Sequence, residues 1–250
     1  MIHEPSPLQA YTIITGVDEV GRGPLAGPVV AAAAVFSSSI EISQFVDSKS
    51  VSERQREALF PQILQLATDW AIVAIGPKTI DAVNIRNATN LAMKYAIENT
   101  QTVYALVDGN MMVETSIPHE TIIQGDATVP CIGAASILAK VWRDKLMTHY
   151  DSFFPDFGFQ KHKGYPSKAH REALHSVGPS IIHRYSFRTV SEILPAGPQA
   201  LVCKDSDTYI LNKASCDKKF GGDPFYFPEL GEIWRGNCPE LFEAPRISPT

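Results

Sequence analysis

The amino-acid sequence predicts an α/β fold in which helices flank a mixed central β-sheet, followed by a C-terminal extension. The composition is typical of a globular protein, with 250 residues of which 44% are hydrophobic and 20% charged. Short β-branched or small apolar runs cluster near the start of the chain, and later runs alternate with stretches of helical spacing. We expect one catalytic-size domain over 1–197 and an extension over 198–250, where Gly, Pro and Asp interrupt any regular period.

The predicted strands are short and end at turn residues. Two consecutive strands are expected at 11–17 and 28–36, separated by a turn rich in glycine and proline. Further strands are expected at 70–76, 103–109 and 121–126, and the last two carry an aspartate at or near their ends. Side chains at the carboxyl ends of neighbouring strands often form the ligand site of an open α/β sheet.

Four helices follow from apolar spacing and from start and stop signals. A serine-capped helix is expected over 52–67, with Pro61 kinking or splitting it. Residues Pro77–Glu98 begin with a proline suited to a first helical turn. A long helix at 132–150 starts with small apolar residues that allow close packing, and 167–178 runs from a serine start to a glycine stop.

Composition and motifs exclude several classes of protein. The formal net charge of −5 gives no global attraction to a polyanion. The longest apolar run, Gly23–Phe36, is too short for the ~20 residues of a membrane span, so no membrane partner is expected. No secretory leader precedes the first strand, and the four cysteines form no CxxC pair, which favours free thiols in the cytoplasm. The sequence has no nucleophile elbow, no phosphate loop and no dinucleotide fingerprint with its downstream acid.

Four acidic residues are candidates for a metal site. Asp18 and Glu19 are adjacent at the end of the first strand, and Asp108 and Asp126 close later predicted strands. Oxygen ligands without Cys or His favour Mg²⁺ or Mn²⁺, and two such ions promote phosphodiester displacement. Taken singly, Asp108 and Asp126 are more simply explained by turn or capping chemistry. The adjacent pair Asp18 and Glu19, followed by a glycine-rich turn, is the sharper signal.

The segment after the paired acids is a glycine-rich turn. Gly21, Arg22 and Gly23 form a GRG motif, in which missing side chains let backbone groups approach a ligand such as a ribose 2′-hydroxyl. A plain tight turn, with Arg22 neutralising the adjacent acids, explains the motif equally well.

Positive charge and aromatic side chains are concentrated at 140–190. This segment contains nine Lys or Arg residues and four Asp or Glu residues, which gives it a local net charge of +5. Five of the seven histidines lie in the same segment. Basic residues with interleaved aromatics are typical of nucleic-acid surfaces, although a solvated basic face with core aromatics is the simpler explanation. Within this segment, the string FQKHKGYP around Gly164 and Tyr165 is the part that a solvated basic face explains least well.

These motifs together resemble one known family, the bacterial ribonucleases HII, which are type 2 ribonucleases H. The resemblance covers roughly 12–190 and is carried, in order, by GVDEVGRGPLAGPVVAAAAV, DSKSVS, IDAVNIRNATNLAM, VDGN, GDATVPCIGAASILAKVWRD, GFQKHKGYPSKAH and GPSIIHRYSF. It implies a ribonuclease H-like fold and divalent-metal-dependent cleavage of the RNA strand of RNA/DNA hybrids. It also implies incision at single ribonucleotides in duplex DNA. The extension does not match the family pattern.

The resemblance also implies roles for individual residues. Asp18, Glu19, Asp108 and Asp126 match the family's four-acid site for two Mg²⁺ or Mn²⁺ ions. The motif Gly21, Arg22 and Gly23 matches the segment that reads the 2′-hydroxyl, and Tyr165 matches the tyrosine that stacks at the junction with DNA. Phosphate contacts are implied for three further residues, Lys49, Ser136 and Lys140.

Two other functions remain open from the sequence. A catalytically silent module that binds RNA/DNA hybrids would not need four acids facing phosphates. A related nuclease of the same fold, such as a junction resolvase, would not need a 2′-hydroxyl reader. We expect a monomer that acts on RNA/DNA hybrid and on ribonucleotide-containing duplex DNA.

Overall fold

Six strands form one mixed sheet in the computed structural model, which describes residues 12–45, 51–194, 207–214 and 216. Their order across the sheet is β5-β4-β1-β2-β3-β6. The strands are β1 (Ile13–Val20), β2 (Val29–Ser37), β3 (Asp69–Ile75), β4 (Ala105–Asp108), β5 (His119–Ile122) and β6 (Thr208–Asn212). Strand β1 pairs in parallel with β4, and β4 with β5, whereas the other neighbours are antiparallel. The predicted mixed α/β sheet is therefore confirmed.

Helices cover both faces of this sheet. They are α1 (Glu53–Leu66), α2 (Pro77–Glu98), α3 (Gly125–Thr128), α4 (Pro130–Asp151), α5 (Phe159–His162), α6 (Lys168–Val177) and α7 (Arg188–Ser191). Successive residues of β2 alternate between two hydrophobic cores, with Ala32 in the core that includes α4 and Ala33 in the core that includes α2. Gly16 on β1 lets α4 approach closely, because an added Cβ would lie 2.1 Å from the Cys131 carbonyl. Small residues on the strands thus bring the long helices against the sheet.

Of the two expected effects of Pro61 on the first helix, a kink or a split, the split does not occur. Helix α1 continues through Pro61 and is capped by Ser52, whose side chain accepts the Gln55 N–H. Pro61 and the residue four positions earlier, Glu57, both lie on the exposed face. The carbonyl that loses its intrahelical donor is therefore on the side of the helix where water can bind it.

Two other segments differ from the sequence predictions. Helix α2 is interrupted at Asn84, whose φ of 68° is not helical and whose Oδ1 accepts the Asn87 N–H at 3.1 Å, as an N-cap does. The strand expected at 121–126 ends at Ile122, because Gln124 adopts a left-handed conformation with a φ of 56°. Asp126 consequently lies on the short helix α3 and does not close a strand.

Part of the extension belongs to the sheet. Strand β6 pairs antiparallel with β3, and Asp207 just before it is buried at the start of α2. The Asp207 carboxylate accepts the N–H groups of Lys78 at 2.9 Å and Thr79 at 3.1 Å. This side chain supplies the cap that Gly76, at the N-cap position of α2, lacks. The division of the chain at 197 stays a prediction.

Among the described residues, no helix combines the length and apolar character that crossing a bilayer requires.

Candidate active site

The parallel pairing of β1 with β4 brings three acidic residues together. Val17 pairs with Val107, so the residues that follow them, Asp18 and Asp108, lie at the same edge of the sheet. One carboxylate oxygen from each of Asp18, Glu19 and Asp108 lies within 4.8 Å of the others. Adjacent side chains on a strand point to opposite faces, yet both acids of β1 reach this cluster.

Asp126 approaches the cluster from a different element. Helix α3 packs against α4 and β4, and the Asp126 N–H donates to Asp108 Oδ1 at 3.3 Å. Its side chain is 1% exposed. Asp126 thus lies next to Asp108, although it is outside the group of three acids whose oxygens converge.

Burial and mutual repulsion make this cluster a site for positive charge. Burial raises the pKa of Asp18 well above its ordinary value, the Glu19 charge raises it further, and a hydrogen bond from Ser136 opposes the increase. Burial also raises the pKa of Glu19, and Arg22 opposes that increase. Carboxylates that repel one another in a buried setting are stabilised as anions by a cation, and an all-oxygen set fits Mg²⁺ or Mn²⁺.

The GRG motif lies directly beside the acids. Arg22 Nη1 is 3.4 Å from Glu19 Oε1, while the Arg22 side chain is 52% exposed. Gly21 has a φ of 92°, and a Cβ there would lie 2.3 Å from Arg143 Nε, so only glycine fits. The structure thus shows a tight turn with a neutralising arginine, and the contact of this motif with a 2′-hydroxyl stays a prediction.

Tyr165 lies next to the last residue of the GRG motif, Gly23. A Cβ on Gly23 would be 3.9 Å from Tyr165 Cε1, and Tyr165 is 38% exposed. Two cations approach its ring, Lys140 Nζ at 5.7 Å and Arg143 Cζ at 5.8 Å from the centroid. The tyrosine thus presents a partly exposed ring next to the glycines.

The three residues expected to contact phosphate have different surroundings. Ser136 on α4 contacts the Asp18 carboxylate, which places it at the acidic cluster. Lys140, one turn further along α4, forms an ion pair with Asp144 at 3.0 Å and faces Tyr165. Lys49 lies outside the described residues.

Two buried arginines hold the loop that contains the GRG motif, and sequence reasoning missed them. Arg184 donates to the carbonyls of Gly21, Arg22 and Gly27, and Arg143 donates to carbonyls of the same loop. Both arginines are 0% exposed, and burial lowers the pKa of each. The sequence did not distinguish these two arginines from surface residues, because a local charge count includes buried and exposed arginines alike.

Two buried histidines next to Tyr165, His170 and His183, form a second network that the sequence did not reveal. The Ser180 N–H donates to His183 Nδ1, the two Nε2 atoms of His183 and His170 lie 2.9 Å apart, and His170 Nδ1 lies 2.9 Å from the Tyr165 carbonyl. This order of contacts requires neutral rings, with His183 Nε2 and His170 Nδ1 carrying the protons. Burial lowers the pKa of His170 to about 4 and that of His183 to about 3.

The structure also revises the interpretation of the basic segment. The aromatics Trp142, Tyr150, Phe157 and Phe159 are buried in the hydrophobic core, so they are not available for stacking on a ligand. Tyr165 and Phe153 are the large aromatics of this segment that are most exposed. Fewer aromatic side chains of this segment are therefore available to stack on a ligand than the sequence suggested.

Comparisons with known proteins agree with this geometry. The family model described as Ribonuclease HII matches residues 15–190. Ribonuclease HII of Syntrophotalea carbinolica is 48% identical over 74% of this chain and 90% of its own length. The enzyme of Vibrio parahaemolyticus is 46% identical over 74% of this chain and 89% of its own. The crystal structure of ribonuclease H2 from Pyrococcus horikoshii superposes with a TM-score of 0.63 at 25% identity, covering 72% of this chain and 96% of that one.

The mixed sheet and the carboxylates at the ends of β1 and β4 define a nuclease with the ribonuclease H fold. Enzymes of this class act on nucleic acid and depend on divalent metal ions. The chain belongs to the ribonuclease HII family and is a ribonuclease H endonuclease.

Proposed function

We propose that this enzyme cleaves the RNA strand of RNA/DNA hybrids and also incises duplex DNA on the 5′ side of a single ribonucleotide. The products carry 3′-hydroxyl and 5′-phosphate ends. The observation that carries the proposal is the position of the convergent acids, Asp18, Glu19 and Asp108, directly beside the GRG motif and Tyr165. A cleavage site and a surface suited to reading a ribose are thus adjacent.

In this proposal, Asp18, Glu19, Asp108 and Asp126 hold two Mg²⁺ or Mn²⁺ ions. Such ions supply Lewis-acid activation of a water nucleophile and stabilise the leaving 3′-oxygen. Ser136 orients the Asp18 carboxylate by a hydrogen bond, and the Asp126 N–H orients Asp108 in the same way. The protein thus fixes the carboxylates before substrate binds.

Recognition in this proposal depends on one chemical difference between RNA and DNA. Backbone groups of Gly21–Gly23 contact the 2′-hydroxyl, and the missing side chain of Gly23 leaves room for the sugar to approach beside Tyr165. Tyr165 stacks on the following deoxynucleotide, and Lys140 beside it contacts phosphate. Arg22 balances the Glu19 charge at the boundary between cleavage and recognition.

The experiment that tests this proposal uses three labelled substrates of one sequence: an all-DNA duplex, the same duplex with one ribonucleotide, and a fully hybrid RNA/DNA duplex. Each is incubated with Mg²⁺, Mn²⁺ or EDTA. We expect metal-dependent nicking 5′ to the ribonucleotide and no cleavage of DNA alone. Cleavage that ignores the ribonucleotide contradicts the proposed recognition, and persistent activity in EDTA contradicts the proposed metal dependence.

The alternative of a silent hybrid-binding module gives a different result in the same assay. Such a module would bind the ribonucleotide-containing duplex with every metal and nick it with none. The monomeric state and the cytoplasmic location stay predictions from the sequence.

A further inference from the structure

One side chain connects the two segments that carry the proposed recognition surface. Arg143 on α4 donates from Nε to the Pro28 carbonyl at 3.0 Å and from Nη2 to the Ala26 carbonyl at 3.2 Å. Its third nitrogen, Nη1, donates to the Lys163 carbonyl at 2.9 Å. The first two carbonyls belong to the loop 21–28, which contains the GRG motif, and the third belongs to the loop 163–165, which ends at Tyr165.

The two loops also touch each other directly. The Leu25 N–H donates to the Gly164 carbonyl at 2.8 Å. Gly164 has a φ of 86°, and a Cβ there would lie 2.5 Å from the Ala26 carbonyl oxygen. The loops are therefore packed so closely that their relative position depends on a glycine and on the Arg143 hydrogen bonds.

Arg143 is suited to fixing a geometry of this kind. Its guanidinium is fully buried, and its hydrogen bonds among the described residues go to backbone carbonyls and not to a carboxylate. A guanidinium is a rigid, planar fork whose N–H groups point in fixed directions, whereas a lysine ammonium is a flexible point charge. Three carbonyls on two loops are thus held at set angles around one planar group, whose Cζ atom lies 5.8 Å from the Tyr165 ring centroid.

We infer that Arg143 is a positioning residue that sets the distance between the GRG motif and Tyr165, and thereby the enzyme's discrimination of a ribonucleotide followed by a deoxynucleotide. This inference rests on the proposed function. A single embedded ribonucleotide must satisfy both loops at once, the 2′-hydroxyl at one and the next sugar at the other. In a uniform hybrid the enzyme has many ribonucleotides to bind, so the spacing between the loops matters less.

The first test is Arg143→Lys, which keeps the charge and loses the fork. We expect the ratio of single-ribonucleotide nicking to hybrid cleavage to fall about tenfold, since a ~1 Å misplacement can cost about a hundredfold in rate. A second readout needs no cleavage: the ratio of Kd values for the single-ribonucleotide duplex and the all-DNA duplex, measured with Ca²⁺. We expect this ratio to move toward one.

Two further variants distinguish a change in loop position from a general loss of stability. Gly164→Ala pushes the same two loops apart without changing any arginine, so it should lower the nicking ratio and move the Kd ratio toward one, as Arg143→Lys does. This variant also decides the matter if Arg143→Lys does not fold. Ile97→Val removes a buried methyl group from the core on the α2 side of the sheet. It should lower the melting temperature and leave both ratios unchanged.

The outcomes distinguish this inference from the proposed function. If the wild-type enzyme discriminates and nicks, but the variants lose activity on every substrate equally, the inference is wrong and the proposed function stands. If the wild type discriminates in binding without nicking, the proposed function is wrong, and the Kd ratios of the variants still decide the inference. A wild type that neither discriminates nor nicks overturns both.

Discussion

The acidic cluster and the recognition surface are neighbours, but they are built on different supports. Asp18, Glu19 and Asp108 end two paired strands, so the sheet's own hydrogen bonds determine their positions. The loops around the GRG motif and Tyr165 have little regular structure and are held by side-chain hydrogen bonds from buried arginines and histidines. The positions of the acidic residues therefore depend on strand pairing. The positions of the GRG motif and Tyr165 depend on hydrogen bonds from buried arginine and histidine side chains.

The largest effect should come from removing one acid from the cluster. We expect Asp108→Asn to lower cleavage of every substrate about a thousandfold or more, since metal-ion catalysis supplies several kcal/mol of transition-state stabilisation. Because the sheet positions this residue, the fold should be retained, and loss of a half-buried charge that repels Asp18 and Glu19 should keep or raise the melting temperature measured in EDTA.

The matched control for this prediction is Asp156→Asn, which changes an exposed aspartate on a loop. Its rates should equal those of the wild type. Near-wild-type cleavage by Asp108→Asn would remove the main support for the metal site.

Removing the fork of Arg184 should instead affect the fold. Arg184→Lys leaves carbonyls of Gly21, Arg22 and Gly27 without their donor, and buried hydrogen bonds to a charged group are worth ~1.5–3 kcal/mol each. We expect urea unfolding to show a loss of about 2–4 kcal/mol, because lysine can replace part of the contacts. Arg188→Lys is the control, since the Arg188 side chain is 90% exposed and its change should be within ~0.5 kcal/mol. Equal stability of the two variants would show that the Arg184 hydrogen bonds are not needed to hold the loop that contains the GRG motif.

This difference in support explains which features the sequence could predict. Strand pairs and the acids that follow them are visible in apolar runs, since parallel strands bring their carboxyl ends to one edge. Arg143 and Arg184 were counted with surface cations, because sequence alone does not tell which basic residues are buried. The position of Asp126 was misjudged because the left-handed conformation of Gln124 leaves no pattern in neighbouring residues. Strand β6 has only five residues, too few for a clear period amid glycine and proline.

Truncating Tyr165 should have a smaller effect on stability than Arg184→Lys and should act selectively on one substrate. Tyr165→Ala removes a partly exposed ring without opening the core, so stability should change little. Nicking at a single ribonucleotide should fall about tenfold more than hybrid cleavage, because stacking on an aromatic ring is worth ~1–3 kcal/mol. Phe153→Ala, which removes another exposed ring, should change neither rate. Equal losses on both substrates would contradict a junction-sensing role for Tyr165.

The last expected effect is a pH dependence of stability that has opposite signs in the two regions. In EDTA, the raised pKa of Asp18 means that the folded state binds the extra proton, so this group reduces stability as pH rises above ~3.8. The lowered pKa values of His170 and His183, about 4 and about 3, mean that the unfolded state binds the extra protons. Their contribution is full above pH ~6.5 and is lost as pH falls toward 4, by at most ~1.4 kcal/mol per pH unit for each ring.

The two opposite contributions to the pH dependence can be separated with variants whose free energy of unfolding is measured by urea denaturation between pH 5 and 8. Asp18→Asn removes the acidic contribution, so stability should fall more steeply with decreasing pH than in the wild type. His183→Asn removes one of the histidine contributions and should flatten the same curve, whereas His175→Asn, at an exposed position of α6, should leave it unchanged. If His183→Asn keeps the wild-type slope, the histidine network is not held in its neutral form, and the support of Tyr165 must come from Arg143 and the loop contacts alone.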